Sequence, residues 1–197
     1  RDEIDGNAPG IKSGVFIIKN LRDSTLYGEN IKDGKFHVQG VLPETGFYIM
    51  NITDDADKSS RDNHFEIYLE DGKYHIETKQ GKLYRYPNIT SPSNTQKELS
   101  AYYTIVNEQS AAAHAKFNPV NLELDKKTNS SSRAQYSMLI NKLSEAQKNE
   151  ANEGFEAYKQ FTKQYPQNSI SAHLMAEMDY ESKPAEYFAI YNSFSAE

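Results

Sequence analysis

Through residues 1 to about 88, apolar side chains alternate with polar ones. Val15-Phe16-Ile17-Ile18 is a short apolar run behind Gly10 and Gly14. Phe36 and Val38, Phe47 and Ile49, Phe65, Ile67 and Leu69, then Tyr74 and Ile76 keep a spacing of two. That spacing sends alternate side chains to one face of a strand. Turn formers separate the runs: Asp33-Gly34, Pro43-Glu44-Thr45-Gly46, Asp54-Asp55, Asp71-Gly72 and Gly81. Short strands with this punctuation predict an antiparallel β-sandwich or a partly open barrel.

After Pro87 and Pro92 the period changes. Ser93-Asn94-Thr95 offers caps, Thr95 with Glu98 fits a capping box, and Leu99, Tyr102, Val106, Ala113 and Phe117 follow at helical spacing. Asn118-Pro119 is expected to end that helix, because the residue before proline is pushed out of the helical region. The polar stretch Asp125 to Ser132 reads as a loop. A long helix is predicted from about Arg133 to Tyr165, with Tyr136, Leu139, Leu143, Ala146, Phe155, Tyr158, Phe161 and Tyr165 on one side. Polar Lys148 to Glu153 and then Gly154 mark a candidate break in it. Pro166 stops the helix, and Ser169 is expected to cap a short one carrying Ile170, Leu174 and Met178. Pro184 opens a last helix with Tyr187, Tyr191 and Phe194. The fold class expected is α+β, with a β domain over 1–90 and a helical domain or connector over 91–197.

One pattern occurs twice. Ile31 to Val38 reads IKDGKFHV, and Leu69 to Ile76 reads LEDGKYHI. Asp-Gly between alternating apolar residues is the strongest short hairpin signal, since a type I′ turn needs positive φ at both central positions. Two hairpins are therefore expected, with Ile31 opposite Phe36 and Leu69 opposite Tyr74. His37 and His75 then point to the solvated face. In that register His75 lies across from Tyr68, and Glu77 across from Glu66. No second histidine falls within ligand distance, so no metal centre is expected.

Composition narrows the chemistry. The net charge is -6 and no basic stripe exists, which argues against a nucleic-acid partner. No apolar run approaches eighteen residues, so no transmembrane segment is expected. Cysteine is absent, which excludes thiol catalysis and thiolate metal sites in this chain. The start at Arg1, without Met, reads as a processed or cut N-terminus. Asp54-Asp55-Ala56-Asp57 has the carboxylates of a calcium loop but lacks the later Gly and closing Glu, and is read as a solvated acidic turn. Tyr84 and Tyr86 are the candidate interaction surface, an exposed aromatic strip; the competing reading makes them a lid on the β domain or a contact with the helical half. No nucleophile elbow, phosphate loop or zinc-protease motif is present. Catalytic residues and cofactors are accordingly expected to be none.

The run from GVFIIKN through DGKFHVQG, GFYIMNI and FEIYLEDGKYHIE resembles an uncharacterised β domain. That domain lies at the N-terminus of Bacteroidetes-type envelope proteins whose C-terminal half is a thioredoxin-like thiol-disulfide oxidoreductase. FTKQYPQNSISAHLM, Phe161 to Met175, is similar to their helical connector. The resemblance implies a cell-envelope location, periplasmic or anchored at the outer membrane. It implies a C-terminal thioredoxin-like domain as partner, together with the substrate proteins of that domain. The family's Cys-x-x-Cys and lipid-attachment Cys have no counterpart among these residues, so no catalytic residue carries over. The implied role is a non-catalytic accessory domain that positions the redox domain or its substrates. The alternative is an independent β-sandwich module binding sugar or peptide. A third reading, an enzyme using Glu66, Glu70 and Asp71, rests on hairpin geometry alone.

Overall fold

The computed structural model describes residues 2–40, 42–127 and 133–194; side chains at 112–127, 146, 147, 149–151 and 153 lie outside that description. The chain is α+β and divides into two compact units, Arg1–Ala101 and Tyr102–Glu197.

The first unit holds eight strands: β1 (Asp2–Asn7), β2 (Ser13–Lys19), β3 (Thr25–Lys32), β4 (Lys35–Gly40), β5 (Gly46–Ile52), β6 (His64–Leu69), β7 (Gly72–Glu77) and β8 (Asn88–Thr90). They form one curled sheet, a half-barrel, in the order β6-β5-β2-β3-β4-β1-β7-β8. The sheet is mixed, because β1 runs parallel to β7 and antiparallel to β4. The alternating positions do what their period requires. Phe16, Ile18, Ile31, Phe36, Met50, Ile67, Leu69, Tyr74 and Ile76 are buried. The Phe16 and Phe36 rings stack with centroids 4.5 Å apart. Gly6 makes this packing possible, since a Cβ there would lie 1.9 Å from the tip of the Phe36 ring.

The first octapeptide forms the expected turn, but β3 and β4 pair in the ladder at Lys32–Lys35 alone, without the expected Ile31–Phe36 pair. Lys32 pairs with Lys35 across Asp33 (φ 48°) and Gly34 (φ 74°). Its tip is tied down by the β1–β2 link: Ala8 N–H donates to Gly34 O and Gly34 N–H to Ile11 O, both at 2.7 Å.

The second octapeptide does not. β6 pairs only with β5 in the sheet, whereas β7 pairs with β1 and β8. Leu69 therefore has no hairpin partner in Tyr74. The physical difference is at the turn. Asp33 and Asp23 are the described non-glycine residues with positive φ; Asp71 is not among them, so a type I′ turn cannot form there. The chain instead leaves β6 at Leu69 and starts a strand elsewhere in the sheet.

This leaves β6 with an edge, and side chains occupy it. Tyr86 Oη–H donates to Glu66 O at 2.7 Å. Tyr68 N–H donates to Gln96 Oε1 at 2.8 Å, and Glu70 N–H donates to Tyr74 Oη at 3.1 Å. Gln96 is fully buried, and its amide also donates to Tyr86 Oη (3.1 Å) and Ser100 Oγ (2.9 Å).

The helices are α1 (Asn94–Lys127), α2 (Arg133–Gln164), α3 (Ser171–Ala176) and α4 (Pro184–Tyr191), with short 3₁₀ turns at Lys58–Asp62 and Tyr180–Ser182. The start of α1 is capped two residues earlier than Thr95-Glu98 suggested. Ser93 Oγ accepts the Gln96 N–H at 3.2 Å, which frees the Gln96 amide for the sheet edge. Asn118-Pro119 does not stop α1, which continues to Lys127. A proline inside a helix forfeits one hydrogen bond, about 3 kcal/mol, and a long helix can absorb that. Asp125 to Lys127 thus belong to α1 rather than to a loop, and 128–132 lie outside the described residues. So do the side chains of Ala113, Phe117 and Ala146. Gly154 does not break α2. Asn168, not Ser169, organises the start of α3: its Oδ1 accepts from Ile170 N, Ser171 N and Ser171 Oγ.

The core of the second unit is Tyr102 and Ile105 of α1, Phe155, Tyr158 and Phe161 of α2, Leu174 of α3 and Tyr187 of α4. Tyr158 Oη–H donates to Ser171 O at 2.9 Å, and burial, with Tyr102 and Tyr187 nearby, pushes its phenol far up. Tyr136 and Tyr165, expected on the buried stripe, are exposed. No described helix is long and apolar enough to cross a membrane.

Two outcomes follow for the first unit. Gly34→Val should cost about 1–3 kcal/mol in denaturant unfolding, because a β-branched residue resists positive φ and its Cβ would meet Ala8 O at 2.7 Å. Gln96→Leu should cost a similar ~1–3 kcal/mol, since it strands the Tyr68 N–H without a partner. An unfolding midpoint unchanged from the parent in the second variant would mean that the β6 edge finds water instead.

Candidate functional site

β1 is the strand that gathers the polar residues. It lies between the two strands that carry the repeated octapeptide, and both pairings share one register. Asp5 stands opposite His37 on β4 and opposite His75 on β7. Glu3 stands opposite Gln39 and Lys73, and Asn7 opposite Lys35 and Glu77. Ile4 and Gly6 face inward, so Glu3, Asp5 and Asn7 share the outer face with both histidines. His37 and His75 are exposed while Phe36, Val38, Tyr74 and Ile76 are buried, as the period of two requires. The partners expected for β7 were wrong, however. His75 sits beside Asp5 and Thr90 rather than Tyr68, and Glu77 beside Asn7 and Asn88 rather than Glu66.

The side chains on this face are paired. His37 Nδ1 is 2.7 Å from Asp5 Oδ1, with both groups about half exposed. Lys73 Nζ is 2.9 Å from Glu3 Oε2, and that hydrogen bond, with the Glu3 charge, raises the Lys73 ammonium above its ordinary range. His75 Nε2 is 3.2 Å from Glu77 Oε1, and Lys35 Nζ donates to Asn7 Oδ1 at 2.8 Å. An aspartate on an imidazole is two-thirds of a hydrolase relay, but among the described residues no hydroxyl is hydrogen-bonded to His37 to act as the nucleophile.

The other sequence candidates separate. Tyr84 is half exposed, in a turn, with Lys82 Nζ 5.7 Å from its ring centre. Tyr86 is buried, its ring edge-on to Phe65 and its hydroxyl on the β6 edge. The pair is therefore not an exposed strip; one member belongs to the inside of the β unit. Asp54 is buried rather than solvated, accepting from Ala56 N–H and from Gln80 Nε2. Asp57 accepts from Ser59 N and Oγ, and Asp55 from Ser13 Oγ, so this acidic segment folds a turn. Glu66, Glu70 and Asp71 lose the hairpin that would have brought them together.

In the second unit, α2 and α4 form an open groove of about 450 Å³, lined by Phe155, Lys159, Lys163, Pro166, Glu186 and Ile190 among others. Phe188 and Tyr191 of α4 are 65% and 59% exposed, which leaves large apolar surface on this unit. The periodicity marked Tyr191 as a helix-face residue but gave no sign that it would stay uncovered.

No protein-family model, curated protein or solved structure matches this chain.

With a chelator present, His37→Ala and His75→Ala should each leave unfolding free energy within about 0.5 kcal/mol of the parent, as exposed positions do. Thermal or urea denaturation measures this, and a larger loss would make the His37–Asp5 pair structural.

Proposed function

We propose that this chain is a non-catalytic accessory module of a cell-envelope thioredoxin-like thiol-disulfide oxidoreductase. In this reading it positions the redox domain, or the proteins that domain reduces. The observation that carries it is the uncovered apolar surface of α4, Phe188 and Tyr191. Exposed apolar patches of this kind serve contact with another protein surface. α4 follows the Phe161 to Met175 segment that resembles the family's connector. The lack of cysteine in the chain is consistent with a supporting part, since the thiolate is the nucleophile of disulfide exchange. The burial of Tyr86 speaks against the sugar- or peptide-binding alternative, which needed an aromatic platform and is left with Tyr84.

The test joins this chain to a thioredoxin-like domain bearing Cys-x-x-Cys and compares it with that domain alone. Reduction of an insulin-like protein disulfide and of a small-molecule disulfide are both measured. The chain by itself should show no reductase activity. Its attachment should change the rate on the protein substrate several-fold while leaving the small substrate nearly unaffected. A small reagent needs only the exposed thiol, whereas a folded protein must also fit beside the attached units. Equal ratios for the two substrates would remove the positioning role.

A further inference from the structure

The expectation of no metal centre looked for a second histidine on the hairpins and left β1 out of account. β1, which carries too little apolar residue to draw attention in the sequence, enters between the two octapeptide strands. It sets two carboxylates beside His37. Glu3, Asp5 and His37 each offer one ligand atom, and the three atoms lie within 4.8 Å of one another. Around a tetrahedral ion with bonds near 2.1 Å, ligand atoms sit about 3.4 Å apart. Side-chain rotation can close that difference, since Asp5 and His37 are exposed and Glu3 is part-exposed. The frame beneath is rigid, because β1 is paired along all six residues on both sides.

We propose that Glu3, Asp5 and His37 bind a divalent first-row transition ion of the zinc class, with solvent completing its coordination. The donor set selects the class. An imidazole nitrogen with two carboxylates suits zinc, nickel or copper, while magnesium prefers oxygen donors and gives up its water reluctantly. One competitor is already in place: the Lys73 ammonium on Glu3 must swing away. Lys73 is 79% exposed and free to do so, and its pair with Glu3 is screened by solvent. His75 is the built-in control. It has the same neighbour in Asp5 and nearly the same exposure as His37, yet its ring is held by Glu77 and it is not part of the three-atom cluster.

The experiment titrates the full chain with zinc alone, by calorimetry and by NMR of the histidine rings. One zinc per chain should bind, and the His37 ring should shift first among the five histidines. Asp5→Asn and His37→Ala should each weaken binding at least about tenfold, a loss that changes next to a metal's direct ligands already reach. His75→Ala should change it less than about twofold, because its ring is held by Glu77 and lies outside the three-atom cluster. Magnesium should not compete at equal concentration. Circular dichroism in chelator confirms that each variant is folded, and Glu3→Gln supplies a further variant at the same cluster. Absence of saturable binding, equal losses on removing His37 and His75, or undiminished binding by Asp5→Asn would each overturn the site.

Discussion

The first unit depends on how one strand edge is closed. β6 pairs with β5 on one side, and on the other side its backbone groups at Glu66, Tyr68 and Glu70 meet no strand. A polar backbone group shut away from water without a partner costs about 1–3 kcal/mol. Three side chains remove that cost: Tyr86, Gln96 and Tyr74. Each comes from a different part of the chain, so the edge is satisfied only when β7, the segment before β8 and the start of α1 are all in place. The arrangement also blunts an edge that would otherwise template pairing with another chain.

The same closure explains why α1 begins where it does. A cap at Ser93 puts Gln96 at the third helical position, and its backbone N–H is satisfied by Ser93 Oγ. Its side chain, which in a capping box would turn back to the cap residue, goes to Tyr68 and Tyr86 instead. The first turns of α1 are thereby part of the β unit, and the compact unit runs to Ala101.

What could be read from the sequence was what local spacing controls. Phe36, Val38, Tyr74 and Ile76 go inside and His37 and His75 outside because a strand has a period of two, whichever neighbours it finds. The neighbours themselves were not legible. Asp33-Gly34 and Asp71-Gly72 carry the same local signal, and the deciding quantity, the φ of the aspartate, is set by where the next strand must go. β1 was harder still. DEIDGN has one large apolar residue, Ile4, yet the strand is central to its part of the sheet and holds the carboxylates of the polar face. Its inward positions are filled by Asp2, Ile4 and Gly6, and the glycine is there because Phe36 needs its space. A pattern search that rewards apolar alternation passes over such a strand, and with it the residues that stand beside both histidines.

The second unit distributes its packing unevenly, and this bears on what it can do. Around α2, the buried residues Phe155, Ala157, Tyr158 and Phe161 lie in the C-terminal part, where the aromatic rings meet Tyr102 and Tyr187. In the N-terminal part Leu139 is buried, while Tyr136, Met138 and Ile140 are exposed. A helix gains most of its stability from a buried face, so order in α2 should be strongest around Tyr158, whose hydroxyl is tied to Ser171. Pro184 then starts α4 next to this well-packed region, and Tyr187 turns into it while Phe188 and Tyr191 turn out. Apolar side chains held outward on a firmly anchored helix lose little further freedom on contact with a partner. That lowers the entropic cost of docking, and under the proposed function it favours α4, rather than the first turns of α2, as the surface that would hold an attached partner in one orientation.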